Sequence, residues 1–257
     1  MTWQKRNPQA PRLRSSAPGG NGARRMGGMM LLAGATLGLG GCKVSDVSRE
    51  GPKPAPTAVQ RVDPTFPQEA VVCSEQGGTL EIAGSGFSPL PVNTLREDES
   101  LALPKVTLVD GSGNGVEVPV SKLDVAAGKM TVTLAANALP AGTYDVVVDN
   151  PNGQSGTLAG SVRVVPPPQV TGIEPATVPS GTITPVTLTG AHFRGTADGV
   201  LPTAFLTPVG TTVQYGLDGI ALPSDTQLTG NTPATLDVGR YDVTVRNPEG
   251  CQATLPD

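Results

Sequence analysis

The sequence predicts an all-β protein: two tandem antiparallel sandwiches that follow a leader and a spacer. Three observations predict it. One block of residues recurs in the same order about a hundred positions later. Within each copy, apolar residues alternate with polar ones at a period of two. The 33 glycines and 26 prolines in 257 residues break the chain into short runs with no long helical pattern between them. Short alternating strands separated by tight turns are what such a composition suits.

The first 41 residues carry Lys5, Arg6, Arg12, Arg14, Arg24 and Arg25 and no acidic residue. Against a formal net charge of −4 for the whole chain, that leaves −10 for the remainder. An acidic body repels phosphates, so nucleic acid is not an expected partner. Arg24-Arg25 introduces an apolar, glycine-rich run, residues 26–41, that ends at Cys42. A charged start, a short apolar stretch and small residues before a cut site describe a secretory signal. The run is short and weakly apolar for a membrane span.

Leu39-Gly40-Gly41-Cys42 resembles the bacterial lipobox. The resemblance implies a lipoprotein signal peptide over 1–41, with Cys42 acylated by palmitate-type chains as the first mature residue. Two or more chains would hold the protein stably on a membrane. Lys43, where an Asp would retain a Gram-negative lipoprotein on the inner membrane, implies the outer membrane. An ordinary signal peptide with Cys42 incidental remains the alternative, as does a twin-arginine leader, which Ala23 weakens. Residues 42–63 are polar, contain prolines and lack periodicity, which predicts a disordered tether. A strand crossing onto the first domain is the other reading of that segment.

The repeat sets the domains. Leu139-Pro-Ala-Gly-Thr-Tyr144-Asp-Val-Val-Val-Asp-Asn150-Pro-Asn-Gly153 matches Leu236-Asp-Val-Gly-Arg-Tyr241-Asp-Val-Thr-Val-Arg-Asn247-Pro-Glu-Gly250. Upstream, Gly78-Thr-Leu-Glu-Ile-Ala-Gly84-Ser-Gly-Phe87 matches Thr184-Pro-Val-Thr-Leu-Thr-Gly190-Ala-His-Phe193. This predicts a first sandwich over 64–166 and a second over 167–257. The larger offset between the upstream blocks places extra residues in the first copy, over 88–104. Tyr144, Val146 and Val148 should face inward, as should Tyr241, Val243 and Val245. Strands are expected at 79–84, 105–110, 116–120, 129–135, 144–149 and 157–165, then at 184–190, 203–209, 211–217, 226–229 and 240–246. The second copy ends seven residues after Gly250, so its last strand is expected to be missing or cut short. A longer protein or a partner strand would complete it.

Both copies resemble the IPT/TIG family of immunoglobulin-like domains. The resemblance rests on Glu174-Pro175 with Ser180-Gly181, then Gly190-Ala-His-Phe193, then Gly239-Arg-Tyr241-Asp-Val-Thr-Val245 and Asn247. The first copy has Gly84-Ser-Gly-Phe87 and Gly142-Thr-Tyr144-Asp-Val-Val-Val148, but a different entry, Val71-Val72-Cys73. Tyr144 and Tyr241 stand where sandwiches place a tyrosine corner.

No catalytic constellation emerges. The sole histidine, His192, lies in the Gly-x-x-Phe turn, far from any set of metal ligands or a nucleophile pair. Asp110-Gly-Ser-Gly-Asn-Gly115 reads as a hairpin turn and lacks the bidentate Glu of a calcium loop. No enzyme activity, cofactor or metal is therefore expected. Arg96, Glu97, Asp98 and Glu99 form a charged loop tip and are the candidate binding loop. Two cysteines beyond Cys42 favour a disulfide in an oxidising compartment. Cys73 and Cys251, however, each fall at the N-terminal pole of their own sandwich. End-to-end stacking is therefore expected to leave them unpaired, and a bond would mean that the domains fold back on each other. The expected role is a lipid-anchored envelope or surface protein that binds or spaces. The partner would be an unknown protein or glycan. The alternative is an accessory domain pair of a larger enzyme or transport assembly, carbohydrate binding included.

Overall fold

The computed structural model describes residues 51–62, 69–92 and 100–257. These residues form no helix. The first sandwich comprises β1 (Ala55–Arg61), β2 (Val71–Cys73), β3 (Gly78–Ser85), β4 (Leu90–Pro91), β5 (Leu101–Ala102), β6 (Lys105–Val109), β7 (Gly115–Val118), β8 (Val120–Asp124), β9 (Lys129–Leu134), β10 (Gly142–Asp149) and β11 (Ser155–Val165). One sheet runs β1-β3-β9-β8 and the other β2-β11-β10-β6-β7. Strands β4 and β5 form a small separate hairpin. The two main orders are those of an immunoglobulin-like sandwich, with the first strand divided between the sheets.

The second sandwich comprises β12 (Gln169–Glu174), β13 (Pro185–Ala191), β14 (Thr203–Pro208), β15 (Tyr215–Gly216), β16 (Asp218–Ser224), β17 (Gln227–Asn231), β18 (Tyr241–Arg246) and β19 (Gln252–Leu255). Its sheets run β12-β13-β17-β16 and β15-β14-β18-β19. The same plan recurs, without a counterpart of β2.

Each core follows from the alternation. Val72, Leu80, Ile82, Val106, Leu108, Met130, Val132, Tyr144, Val146, Val148, Val162 and Val164 fill the first. Val186, Leu188, Phe193, Ala204, Leu206, Leu228, Leu236, Val243 and Val245 fill the second. The tyrosine hydroxyls donate to the carbonyls of Pro140 (2.8 Å) and Asp237 (2.9 Å), each four residues upstream, so both corners are present. Thr244, expected to face outward, is buried by a cross-strand hydroxyl pair with Thr254 at 2.8 Å.

The Gly-x-x-Phe motif has a steric cause. A Cβ on Gly190 would lie 1.8 Å from the carbonyl oxygen of Gln169 and 2.6 Å from the Phe193 ring. Gly84 meets Ala55 and Phe87 in the same way, at 2.5 and 2.8 Å. The glycine lets the entry strand and the Phe ring close on one spot. Gly190→Ala is therefore expected to cost about 2–4 kcal/mol, measured by chemical denaturation; a cost below ~0.5 kcal/mol would refute the steric account.

Several expectations need correction. Residues 55–61 lie within the predicted tether, yet they form β1, paired along its length with β3. The first sandwich thus begins by Ala55, ahead of residue 64. Its Pro56 sits next to a bulge on an edge strand, where a missing N–H is tolerated. Strands β8 and β16 were not expected, because their side chains are largely exposed. The strand expected over 211–217 shrinks to β15. The last strand of the second copy is present as β19, four residues long against eleven in β11.

The two cysteines are joined. Cys73 and Cys251 form a disulfide with Cα atoms 5.3 Å apart. The expectation of free thiols failed on direction. Strand β2 runs parallel to β11 and reaches Cys73 level with Val165, at the far end of the first sandwich. Cys251 lies at the near end of the second. The sandwiches therefore meet pole to pole, linked by Pro166, Pro167 and Pro168 and by the disulfide.

Candidate functional site

Among the described residues, two places stand out by their side chains: the junction between the sandwiches and the free pole of the second one.

The junction is apolar at its centre, where Val71, Cys73, Val165 and Cys251 form one buried cluster. An ionic ring borders it. Arg194 Nη2 donates to Glu69 Oε2 at 2.7 Å, and its Nη1 to Glu249 Oε2 at 3.4 Å. The Ala197 N–H donates to Glu69 Oε1 at 2.8 Å. Arg61 donates to the Glu249 carbonyl, so the end of β1 reaches across to the second sandwich. Glu249 is only 4% exposed. Its Oε1 has no hydrogen-bond partner among the described residues.

The two carboxyls respond in opposite directions. Burial raises Glu249 above the usual range, only partly offset by backbone and Asn247 hydrogen bonds and by the charges of Arg194 and Arg61. Burial also pulls Glu69 upward. Hydrogen bonds from Arg194 and Ala197, with the charges of Arg194 and Arg163, outweigh it and leave Glu69 below the usual range. A raised carboxyl favours the fold while protonated and loses that contribution as pH climbs through its folded value; a lowered one does the reverse. Glu249→Gln, which mimics the protonated form, is thus expected to raise the Tm near neutrality, and the gain should shrink as pH falls towards 4.5, the ordinary glutamate value. Thermal melts of both proteins across pH 4–8 check this, and a gain that grows towards low pH would contradict it.

The free pole of the second sandwich holds a groove of about 380 Å³. Ile173, Val178, Val186, Leu206, Tyr241 and Val243 give it an apolar floor, and Asp237, Val238, Arg240 and Asp257 stand on its rim. Val238 is 93% exposed there. Arg240 pairs with the Asp257 carboxylate.

The first copy explains why the groove exists. Strand β10 pairs Gly142, Thr143 and Tyr144 with Val164, Arg163 and Val162 of β11. Val162 and Val164 are buried in the core. In the second copy β19 pairs only with residues 243–246 of β18. No strand lies against Gly239, Arg240 and Tyr241 on that side among the described residues. Tyr144 is 3% exposed, while Tyr241 is only half-buried. The copies match up to a shared bond: Gly160 N donates to Asp145 at 2.7 Å, and Asp257 N donates to Asp242 at 3.1 Å. Beyond it the first copy lays down residues 161–165.

The residues singled out from sequence fall elsewhere. Cys42 and the charged tip Arg96, Glu97, Asp98 and Glu99 lie outside the described residues. The base of that loop is the β4–β5 hairpin, on the pole turned away from the second sandwich. His192 adopts a left-handed turn (φ 60°) where the first copy has Gly86 (φ 72°). Asp110 accepts from Ser112 N, Asn114 N and Asn114 Nδ2, which closes the hairpin and, with Asn114 foremost, holds its carboxyl below the usual range. The junction ring was not anticipated, and of the groove only the shortened last strand beside it was. An even number of cysteines beyond Cys42 was the one signal pointing to the junction.

No protein-family model matches the chain, and no curated protein matches it. Among solved structures it is similar to the surface glycan-binding protein PbSGBP-B from Prevotella bryantii, at 14% identity and a TM-score of 0.30, over 79% of this chain and 41% of that one. It is also similar to the SGBP-B of the Bacteroides ovatus mixed-linkage glucan utilization locus in complex with a heptasaccharide, at 17% identity and a TM-score of 0.29, over 81% of this chain and 46% of that one. The titin I-band fragment I67–I69 is 14% identical with a TM-score of 0.32, over 79% of this chain and 61% of that one. The chain spans less than half the length of either glycan-binding protein. The immunoglobulin-like assignment rests on the sheet orders and the tyrosine corners rather than on these likenesses.

Proposed function

We propose that the protein is a binding and spacing arm of the cell envelope. Acylation at Cys42 would hold it on a membrane, the outer membrane in a Gram-negative cell, and two locked sandwiches would carry the free pole outward. The observation that carries this reading is the Cys73–Cys251 disulfide across the junction. A structural disulfide suits an exported protein in an oxidising compartment, in accord with the leader and lipobox. It also makes a stiff spacer of two domains that a linker alone would leave free to swivel.

Binding rather than catalysis is favoured by the character of the exposed surface. The only histidine is taken up by a turn, and the groove at the free pole has an apolar floor with no acid–base pair inside it. A protein partner fits better than a glycan. Phe87, Phe193 and Tyr144 are buried, Tyr215 and Tyr241 meet edge to face at 6.3 Å, and Phe205 is covered by Arg246 at 5.5 Å. No flat aromatic platform for a sugar ring is left among the described residues. Metabolic labelling with a fatty-acid analogue tests the anchor: label and membrane retention should both disappear in Cys42→Ser. Retention without label would overturn it.

A further inference from the structure

We infer that the pole of the first sandwich turned away from the second is a membrane-docking face. There the β4–β5 hairpin seats apolar side chains at the boundary between lipid headgroups and acyl chains. The inference rests on the acylation of Cys42 proposed above and adds a second point of contact to it.

The hairpin has no core of its own. Leu90 pairs with Ala102 and Pro91 with Leu101, and Val92 N donates to the Ser100 carbonyl at 2.8 Å. Successive residues of a strand face opposite sides, so Leu90 and Val92 share one side of the ribbon and Leu101 takes the other. Val92 is 60% exposed and Leu101 57%, and Leu90 and Leu103 are exposed as well. Both sides are therefore apolar and open. An isolated two-stranded ribbon is marginally stable in water and gains from a surface laid against it. Val125 adds to the same pole: it is exposed in the turn after β8, where Gly84 N donates to the Gly128 carbonyl.

The path of the entering chain points to lipid as the occupant. Asn150 Nδ2 and Asn152 Nδ2 both donate to the Pro52 carbonyl, at 2.9 and 3.2 Å. Asn152 also stands against Gly51, where a Cβ would lie 2.4 Å from its Nδ2. Asn150 Nδ2 reaches the Gly86 carbonyl too, in the loop that leads into β4. The chain thus enters the sandwich clamped to the pole that carries the hairpin. Only residues 43–51 separate Cys42 from Pro52. Ten residue steps span at most about 35 Å. An acylated Cys42 keeps this pole close to the bilayer, and the hairpin then fixes how the arm stands on it. The charged residues between β4 and β5, Arg96, Glu97, Asp98 and Glu99, are one base and three acids. Zwitterionic lipid suits this pole better than an anionic surface, which repels acids.

Leu101→Trp in a Trp3→Phe background, where it is the sole tryptophan, reports the surroundings of the hairpin. The protein is held on phosphatidylcholine vesicles by its own acyl chains, or by a maleimide lipid coupled to Cys42 where labelling shows that residue unacylated. Cys73 and Cys251 are joined, so Cys42 is the one thiol open to that coupling. Interfacial apolar groups sink about 5–10 Å, so lipids brominated high on the acyl chain should quench the emission about twofold and shift it to shorter wavelength. Val92→Trp should behave alike, and Val238→Trp, at the far pole, should show neither effect. Unquenched emission from both hairpin positions, or equal quenching at Val238, would overturn the inference. So would a shift that appears without vesicles and grows with protein concentration, which would place a second copy of the chain on the hairpin. Failure of the anchor is read from the Cys42 label alone, and failure of docking from the coupled protein.

Discussion

Replacing both bridging cysteines, Cys73→Ala with Cys251→Ala, is expected to turn one cooperative melt into two and to broaden the distribution of molecular shapes in solution. The bond closes a sequence separation of 178 residues. In the chain-entropy model a loop of that size is worth about 5 kcal/mol, an upper figure for a link between two domains that each keep their own core. Without it, the junction keeps Val71, Val165 and the Arg194–Glu69–Glu249 ring, a small contact with strongly desolvated charge at its rim. Such a contact holds two domains loosely. The sulfurs are buried, so the double alanine variant is a cleaner test than added reductant. Calorimetry and small-angle scattering read the outcome. A single unshifted transition with an unchanged radius of gyration would mean that the ionic ring suffices alone.

The second large effect is expected at the asparagine of the repeated Asn-Pro-x-Gly turn. Asn150 is 3% exposed. Its Nδ2 donates to the carbonyls of Pro52 (2.9 Å) and Gly86 (2.7 Å), and its Oδ1 accepts from Ser88 N at 3.2 Å. One side chain thereby ties the turn after β10 to the loop after β3 and to the segment entering β1. Asn247 ties the corresponding turn to the loop after β13, donating to the His192 carbonyl at 2.8 Å and accepting from Arg194 N at 3.0 Å. Alanine removes every one of these and strands the partner groups. At about 1 kcal/mol or more per bond, Asn150→Ala should cost about 3–5 kcal/mol and Asn247→Ala about 2–3. Urea denaturation should return that order. Equal losses, or losses under ~0.5 kcal/mol, would show that water replaces the amide at no cost. Asn247→Ala should also loosen the junction, because the backbone it holds carries Arg194.

These asparagines mark how far the sequence could be read. Strands β10 and β18 and the two tyrosine corners were legible because a period of two and fixed turn chemistry are local signals. Asn150 and Asn247 were legible only as turn residues. Their partners lie more than 50 positions away, and no spacing rule reaches that far. Strand β1 was hidden because Pro54 and Pro56 give it the look of a linker, while its pairing with β3 is non-local. That one omission misplaced Cys73. With the first strand assigned to the tether, Val71-Val72-Cys73 read as the entry of the fold rather than as the second half of a strand already across it. The open edge beside the groove was legible as a last strand cut short after Gly250, whereas its apolar floor was not, since Ile173, Val186, Leu206 and Val243 come from four separate strands.

The disulfide has a mechanical meaning as well. A pull applied between the chain ahead of Cys73 and the chain beyond Cys251 passes straight through the sulfur–sulfur bond. Residues 74–250 then hang as a slack loop outside the line of tension, however hard the surrounding fluid drags on the molecule. Only the strands outside the cross-link are loaded first, β1 where it lies on β3 and β19 where it lies on β18, and the contour between the two cysteines stays closed while the bond holds.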